Sequence, residues 1–212
     1  AKCCQSTFDG GMAMIDIRLY YWDIQLVVVN NWICGDWSDS MYARELKPLG
    51  LDSVMRMLYG SLIAKGLPEV TQAVFQAWRG ALRWTGWDKK LTLLTPLWVD
   101  TWLSHTARLQ NFAGWDKIGI SLLGDMVEGG AVKLFSALQE EYRLHHSQFF
   151  RYLQIRRALA TYQTKLGDLA ELNPLEAKLL LGVMGNGGVS RIYKSLIINS
   201  PECFSALRGK WE

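Results

Sequence analysis

Cations are the residues of this chain whose spacing points most directly to chemistry. Arg143, Arg151, Arg156, Arg157 and Lys165 follow one another closely, and no Asp or Glu occurs between Glu141 and Asp168. A second group, Arg79, Arg83, Lys89 and Lys90, comes with Trp84 and Trp87. Cations kept apart from acids suit a polyanion. Each one that meets a phosphate releases a counterion, and a guanidinium can also bridge two phosphate oxygens or stack on a base. Trp rings left exposed beside them would stack on bases at about 1–3 kcal/mol each. Buried rings would add nothing, and burial is the expectation for Trp78 and Trp84. A solvated helix face is the competing reading, and Glu171 or Glu176 could pair with Arg156 or Arg157 and neutralise it.

Other chemistry finds little support. Two-metal polymerase catalysis needs paired carboxylates, and no Asp-Asp pair occurs. Asp16 and Asp23 read as a helix N-cap and a solvated carboxylate. Glu140 and Glu141 are neighbours that a helix points about 100° apart, again a solvated face. His145-His146 lacks a Cys or carboxylate at ligand spacing, and His105 has no nucleophile context. The loop Gly185-Asn186-Gly187-Gly188 lacks the phosphate-loop pattern and reads as a turn between helices. Cys3, Cys4, Cys34 and Cys203 form no C-x-x-C, which argues against zinc and dithiol chemistry and for a reduced protein. No catalytic residue, metal, cofactor or small-molecule substrate is expected.

The elements that must position these cations are helices. Half of the 212 residues are hydrophobic, ten are Trp, and the net charge is +3, too mild to name a partner without clustering. In His145–Leu166 the residues Phe149, Tyr152, Leu153, Ile155, Ala158, Leu159, Tyr162 and Leu166 recur at steps of three and four, which predicts one buried helical face. Asp16 caps a helix whose buried stripe is Leu19, Tyr20, Ile24, Val27, Val28 and Trp32, with a strand as the competing reading of Val27-Val28-Val29. A short helix is expected over Ser38–Leu46, ended by Pro48 and Gly50, and the segment from Leu51 to Gly60 adds a further turn or two. Pro68 opens a helix that buries Val70, Ala73, Val74, Ala77, Trp78, Ala81 and Leu82. Leu91–Asn111 reads as extended or loop. Phe112–Ile118 and Ser121–Val127 read as short helices ended by Gly129-Gly130. Ser136-Ala137-Leu138-Gln139 reads as a capping box, Asn173-Pro174-Leu175-Glu176 as a helix start, and Pro201 as the start of a last helix. The helix between them buries Val189, Ile192, Tyr193, Leu196 and Ile197. The first residues have no apolar core of a signal peptide, and the run Ile24–Gly35 is too short and polar to span a bilayer. The start without Met and the stop at Trp211-Glu212 give the expectation of a fragment of a longer polypeptide.

Three stretches resemble the reverse transcriptase of LINE-type (non-LTR) retrotransposons, downstream of its polymerase palm. Gly10-Gly11-Met12-Ala13-Met14-Ile15-Asp16-Ile17-Arg18-Leu19-Tyr20-Tyr21 is similar to the family's G-G-x-A-L-P-D-[FIL]-x-L-Y-Y. Phe149-Phe150-Arg151-Tyr152-Leu153-Gln154-Ile155-Arg156 is similar to F-F-R-Y-L-Q-[LIV]-R. Gly188-Val189-Ser190-Arg191-Ile192-Tyr193 is similar to G-L-[IL]-S-[RK]-I-Y, and Thr95-Pro96-Leu97-Trp98 also fits. Order and spacing agree over essentially the whole chain. Ile15 stands where the family has Pro, which would have pre-set the entry to the first helix.

The resemblance implies a thumb-like helical region over residues 1–90 and a post-thumb helical region over 91–212, with the catalytic carboxylates lying upstream. It implies RNA or RNA–DNA duplex backbone and the rest of the parent polypeptide as partners, and nucleus and cytoplasm as the location. The fold expected is all-α, an irregular array of short to medium helices with one extended or loop segment near the middle. Two functions fit. One is a non-catalytic segment that holds template RNA and primer DNA through Arg and Lys helix faces, inactive alone as an RNA-directed DNA polymerase. The other is a helical interaction or scaffold module, or a translated relic of an element without selected function.

Overall fold

The computed structural model describes residues 15–34, 46–60, 66–88, 90–97, 114–166, 172–180 and 188–198. In chain order its elements are α1 (Ile17–Ile33), α2 (Gly50–Tyr59), α3 (Glu69–Trp84), α4 (Leu123–Met126), β1 (Val127–Glu128), β2 (Ala131–Val132), α5 (Phe135–Tyr142), α6 (Phe149–Leu166), α7 (Pro174–Leu180) and α8 (Gly188–Ile198). The described residues are mostly helical, as the apolar spacing predicts, and their only sheet is the hairpin β1–β2. Residues 38–45 of the helix expected over Ser38–Leu46, the helix from Pro201, residues 98–111 of the Leu91–Asn111 loop, residues 185–187 of the glycine turn, and His105, Glu171 and Lys89 lie outside the described residues.

The chain divides into two compact units whose segments alternate. Ala1–Asp36, Pro68–Asp88 and Pro174–Glu212 form the first; Trp37–Leu67 and Lys89–Asn173 form the second. The C-terminal stretch thus returns to the first unit.

In the first unit α1 packs on α3, α7 and α8. Asp16 caps α1 as expected, its carboxylate accepting from the backbone N–H groups of Arg18 and Leu19 at 2.9 and 3.2 Å. Val27–Val29 stays helical, because burying Val29 against the core outweighs the weak strand preference of β-branched residues. The buried face of α1 is nonetheless rotated from the expected stripe. Leu19, Asp23, Leu26, Val29, Asn30 and Trp32 are buried, whereas Tyr20 and Ile24 are exposed. The solvated carboxylate expected at Asp23 is wrong for the same reason: two polar residues occupy the core side, so apolar spacing alone points to the wrong face.

The α3 stripe is close to the expected one, with Val74, Ala77, Trp78, Ala81 and Leu82 buried. Val70 is exposed instead, and Thr71 and Phe75 are buried. Trp32 meets Phe75 with ring centroids 5.1 Å apart. Gly80 lets Trp22 come so close that an added Cβ would sit 2.7 Å from its Cζ2. In α8, Ile192 and Leu196 are buried as expected, but Ile197 is exposed and Ser195 is buried.

The second unit is built around the apolar face of α6. Tyr152, Ile155 and Leu159 are buried with Leu97, Trp115, Leu123 and Leu138 in one core. Two tyrosines of the same face anchor other segments through their hydroxyls. Tyr152 donates to the Lys133 carbonyl at 2.9 Å, and Tyr162 accepts from the Leu91 N–H at 2.7 Å. Residues 91–97 are non-helical, as expected, and pair with 121–124 through Leu97 N–H to Ser121 O, Leu123 N–H to Thr95 O and Gly124 N–H to Leu93 O.

Ser121–Val127 is not the helix expected. Only the single turn α4 forms, started by Asp125, whose carboxylate accepts from the N–H groups of Ser121 and Leu122. The chain then makes a hairpin pairing Val127 with Val132 and Glu128 with Ala131. Gly129 and Gly130 both have positive φ, 57° and 80°, which the two-residue turn of a tight hairpin demands. Of the expected helix Phe112–Ile118, the described part is the short turn Asp116–Ile118. The capping box at Ser136 is also corrected. Helix α5 starts two residues earlier, with Leu134 as N-cap and no side-chain cap, and Phe135 packs its ring against Phe149 and Tyr152 at 5.2 and 5.4 Å.

Candidate nucleic-acid interface

Helix α6 places the first cation group by burying its other side. With Ile155 and Leu159 fixed in the core, the 100° step of a helix turns Arg156 and Arg157 outward on different bearings. Both are exposed, and neither meets a carboxylate among the described residues. Glu176, the other carboxylate expected to pair with them, is buried in α7 of the first unit.

Arg151 behaves differently. It is half-buried and donates through Nη1 to Gln148 Oε1 at 3.0 Å, while Trp115 Nε1 donates to the same oxygen at 3.1 Å. Gln148 therefore ties the start of α6 to Trp115, and the Arg151 guanidinium bonds to that same oxygen as well as carrying charge. Lys165 lies in the last turn of α6.

Arg143 is exposed at the C-terminal end of α5 with φ 54° and ψ 39°, the left-handed conformation usually given to Gly. The turn lets Leu144 enter the core, where its carbonyl accepts from Gln139 Nε2. An L side chain there costs about 1–2 kcal/mol, and a Gly loses part of that gain to its larger unfolded-state entropy. Arg143→Gly is expected to leave stability unchanged or raise it by up to about 1 kcal/mol. Denaturant unfolding of the two proteins checks this, and a clear loss would show that Arg143 makes a stabilising contact.

The second group is divided between the two units. Arg79 and Arg83 belong to the first unit and Lys90 to the second. Arg83 is exposed. Arg79 is half-buried and engaged, and burial, with repulsion from Arg83 behind it, pushes its pKa below the usual arginine value. Lys90 is exposed and also engaged. Trp78 is buried as expected. Trp84 is half-buried, donates from Nε1 to the Leu196 carbonyl at 3.1 Å, and meets Trp22 edge-on.

Sequence reasoning missed what covers Trp84. The Arg18 guanidinium lies 4.4 Å from its ring centroid and 5.4 Å from that of Trp22. The four-residue step from Arg18 to Trp22 on α1 was the available signal. It also missed a link between two of the motifs quoted above. The Asp16 N–H donates to the Tyr193 hydroxyl at 2.8 Å, and the Tyr20 and Tyr193 rings meet edge-on.

The second unit also carries exposed aromatic groups that the apolar spacing does not explain. Phe149, expected in the buried stripe, is 43% exposed and Phe150 is 77% exposed. His145 and His146, both exposed, hold their rings 4.2 Å apart, and His145 Nδ1 is bonded to Ser147. Lys133 and Glu141 form an exposed-side ion pair at 2.8 Å, which draws the Glu141 pKa below the usual carboxylate value. Among the described residues no group of three His, Cys, Asp or Glu could hold a metal ion, and no helix is long and apolar enough to cross a membrane. Comparison with protein-family models, with curated protein sequences and with solved structures finds no match to this chain.

Proposed function

We propose that this chain is a non-catalytic, nucleic-acid-holding segment of a LINE-like reverse transcriptase, gripping template RNA or primer DNA through the cations of its second unit. The observation that carries the reading is Arg156 and Arg157, exposed on a helix whose opposite face is fixed in a core and paired with no described carboxylate. The resemblance quoted above supports it, and two of its motifs belong to one packed arrangement through Asp16 and Tyr193. Arg143 and the charge of Arg151 extend the same unit's positive surface. Because Arg156 and Arg157 point about 100° apart, the contact suits a strand that wraps the helix or sugar–phosphate chains on two sides of it.

The test is a fluorescence anisotropy titration of the 212-residue chain with a labelled structured RNA at two salt concentrations. Binding should weaken steeply with salt and show little sequence preference. The double substitution Arg156→Gln with Arg157→Gln should lower the slope of log affinity against log salt by about 1–2 and weaken binding about tenfold at low salt, with the circular dichroism spectrum unchanged. Absence of RNA binding by the parent chain at low salt would end the proposal. Primer extension by the purified chain should be absent.

One observation favours the interaction-module reading. Ile17, Tyr20, Tyr21 and Ile24 line one side of α1 at helical spacing and are all exposed. Such a stripe suits a protein partner, including the remainder of a parent polypeptide.

A further inference from the structure

We propose that the exposed aromatic end of α6, with Phe150 at its tip, is a stacking platform for unpaired bases, so that this face takes single-stranded rather than double-stranded nucleic acid. The inference rests on the nucleic-acid reading above and names the form of ligand that reading leaves open.

Phe150 is more than three-quarters exposed, on a helix whose remaining apolar residues mostly face the core. Its ring lies 6.2 Å from that of Phe149 at an interplanar angle of 63°. Phe149 is held in turn by Phe135, edge-on at 5.2 Å, and lies nearly parallel to Tyr152 at 6.2 Å. The platform is thus rigid at its base and open at its tip. A base landing on Phe150 would meet a ring whose neighbour is packed against two others.

Charge selects the occupant. Phe150 and Arg157 are seven residues apart, two helical turns, so they share one side of α6 about 10 Å apart along its axis. A strand whose base stacks on Phe150 can therefore present a nearby phosphate to Arg157. No Asp or Glu lies between Arg143 and Leu166 in the sequence, and the nearest carboxylate before it, Glu141, is bonded to Lys133. An apolar protein surface would gain nothing from this cationic surround, whereas a single strand offers a π-face and a phosphate at every step. A duplex hides its base faces in the stack and has only its backbone to offer.

The experiment uses the 212-residue chain, the Phe150→Ala and Phe150→Trp variants, and three labelled probes: a 20-nucleotide oligouridine, the same strand made abasic, and a 20-base-pair RNA duplex. Phe150→Ala should weaken oligouridine binding about tenfold and leave the abasic strand and the duplex unchanged. Phe150→Trp should restore oligouridine binding. The salt slope should be the same in all three proteins, since no phosphate contact is removed. Equal loss on all probes, or none on any, overturns the platform. So does a parent chain that binds oligouridine and the abasic strand equally, although the cationic reading then stands. A parent chain that binds no probe removes both. A change in self-association with Phe150→Ala, at unaltered RNA affinity, would assign the patch to a protein contact and overturn the proposal as well.

Discussion

Asp23→Asn is expected to raise stability at pH 8 by about 2–4 kcal/mol and to change it little at pH 4. Asp23 is fully buried in the first unit, and neither carboxylate oxygen has a hydrogen-bond partner among the described residues. Burial lifts its pKa from the ordinary 3.8 to about 7. The Tyr193 backbone amide pulls the other way without reaching hydrogen-bonding geometry. Well below pH 3.8 the carboxyl is neutral in both the folded and the unfolded chain and costs nothing through ionisation. Between pH 4 and 7 the unfolded chain ionises while the folded one keeps its proton, so stability falls as pH rises. Above 7 the full penalty is in place. The asparagine amide is neutral throughout, so the variant should lose this slope. In thermal scans the midpoint at pH 8 should rise by roughly 5–15 °C, and the two proteins should converge near pH 4. A pH dependence that survives the substitution undiminished would place the titrating group elsewhere.

The same residue marks where the sequence stops being readable. The middle of the α6 face could be recovered from spacing because its buried side is apolar there: Tyr152, Ile155 and Leu159 sit where steps of three and four put them, although Phe149 at the start of the stripe is exposed. The α1 face could not, since Asp23 and Asn30 lie on the core side while Ile17, Tyr20 and Ile24 face outward. Hydrophobic periodicity measures composition along a face, and on α1 composition and burial disagree. The hairpin was hidden for another reason. Strands of two residues show no alternation, and Gly129-Gly130 serves as well for a helix stop as for a tight turn. At the candidate interface the residue types were legible but their duties were not. Arg151 and Gln148 stand three apart, a spacing compatible with the bond they make, yet the bond that ties Gln148 to Trp115 joins residues distant in sequence. Phe149-Phe150 did carry a usable signal: adjacent residues on a helix point about 100° apart, so only one of the pair could lie near the buried stripe.

Leu159→Ala is expected to cost about 2–5 kcal/mol, the range for removing a leucine from a well-packed core. Leu159 is fully buried, one turn from Ile155, in the core where α6 packs against the 91–97 segment and α5. Truncation leaves a cavity that the neighbours can fill only by shifting. They are themselves fixed, Tyr152 by its bond to the Lys133 carbonyl and Tyr162 by the Leu91 N–H. The site therefore has little freedom to collapse, and the cost should lie in the upper part of that range. Thr161→Ala, on the exposed side of the same helix, gives up only a hydroxyl bond to the Arg157 carbonyl and should change stability by less than about 0.5 kcal/mol. The pair also separates fold from function. The core face of α6 is what holds Arg156, Arg157 and Phe150 on their bearings, so the leucine variant should bind RNA like the parent at low temperature and lose affinity as the second unit loosens on warming. The threonine variant should follow the parent at every temperature. Denaturant unfolding and RNA anisotropy measured together across temperature would show this. Loss of binding at temperatures where the leucine variant is fully folded would mean that Leu159 acts on the ligand by some route other than holding the helix in place.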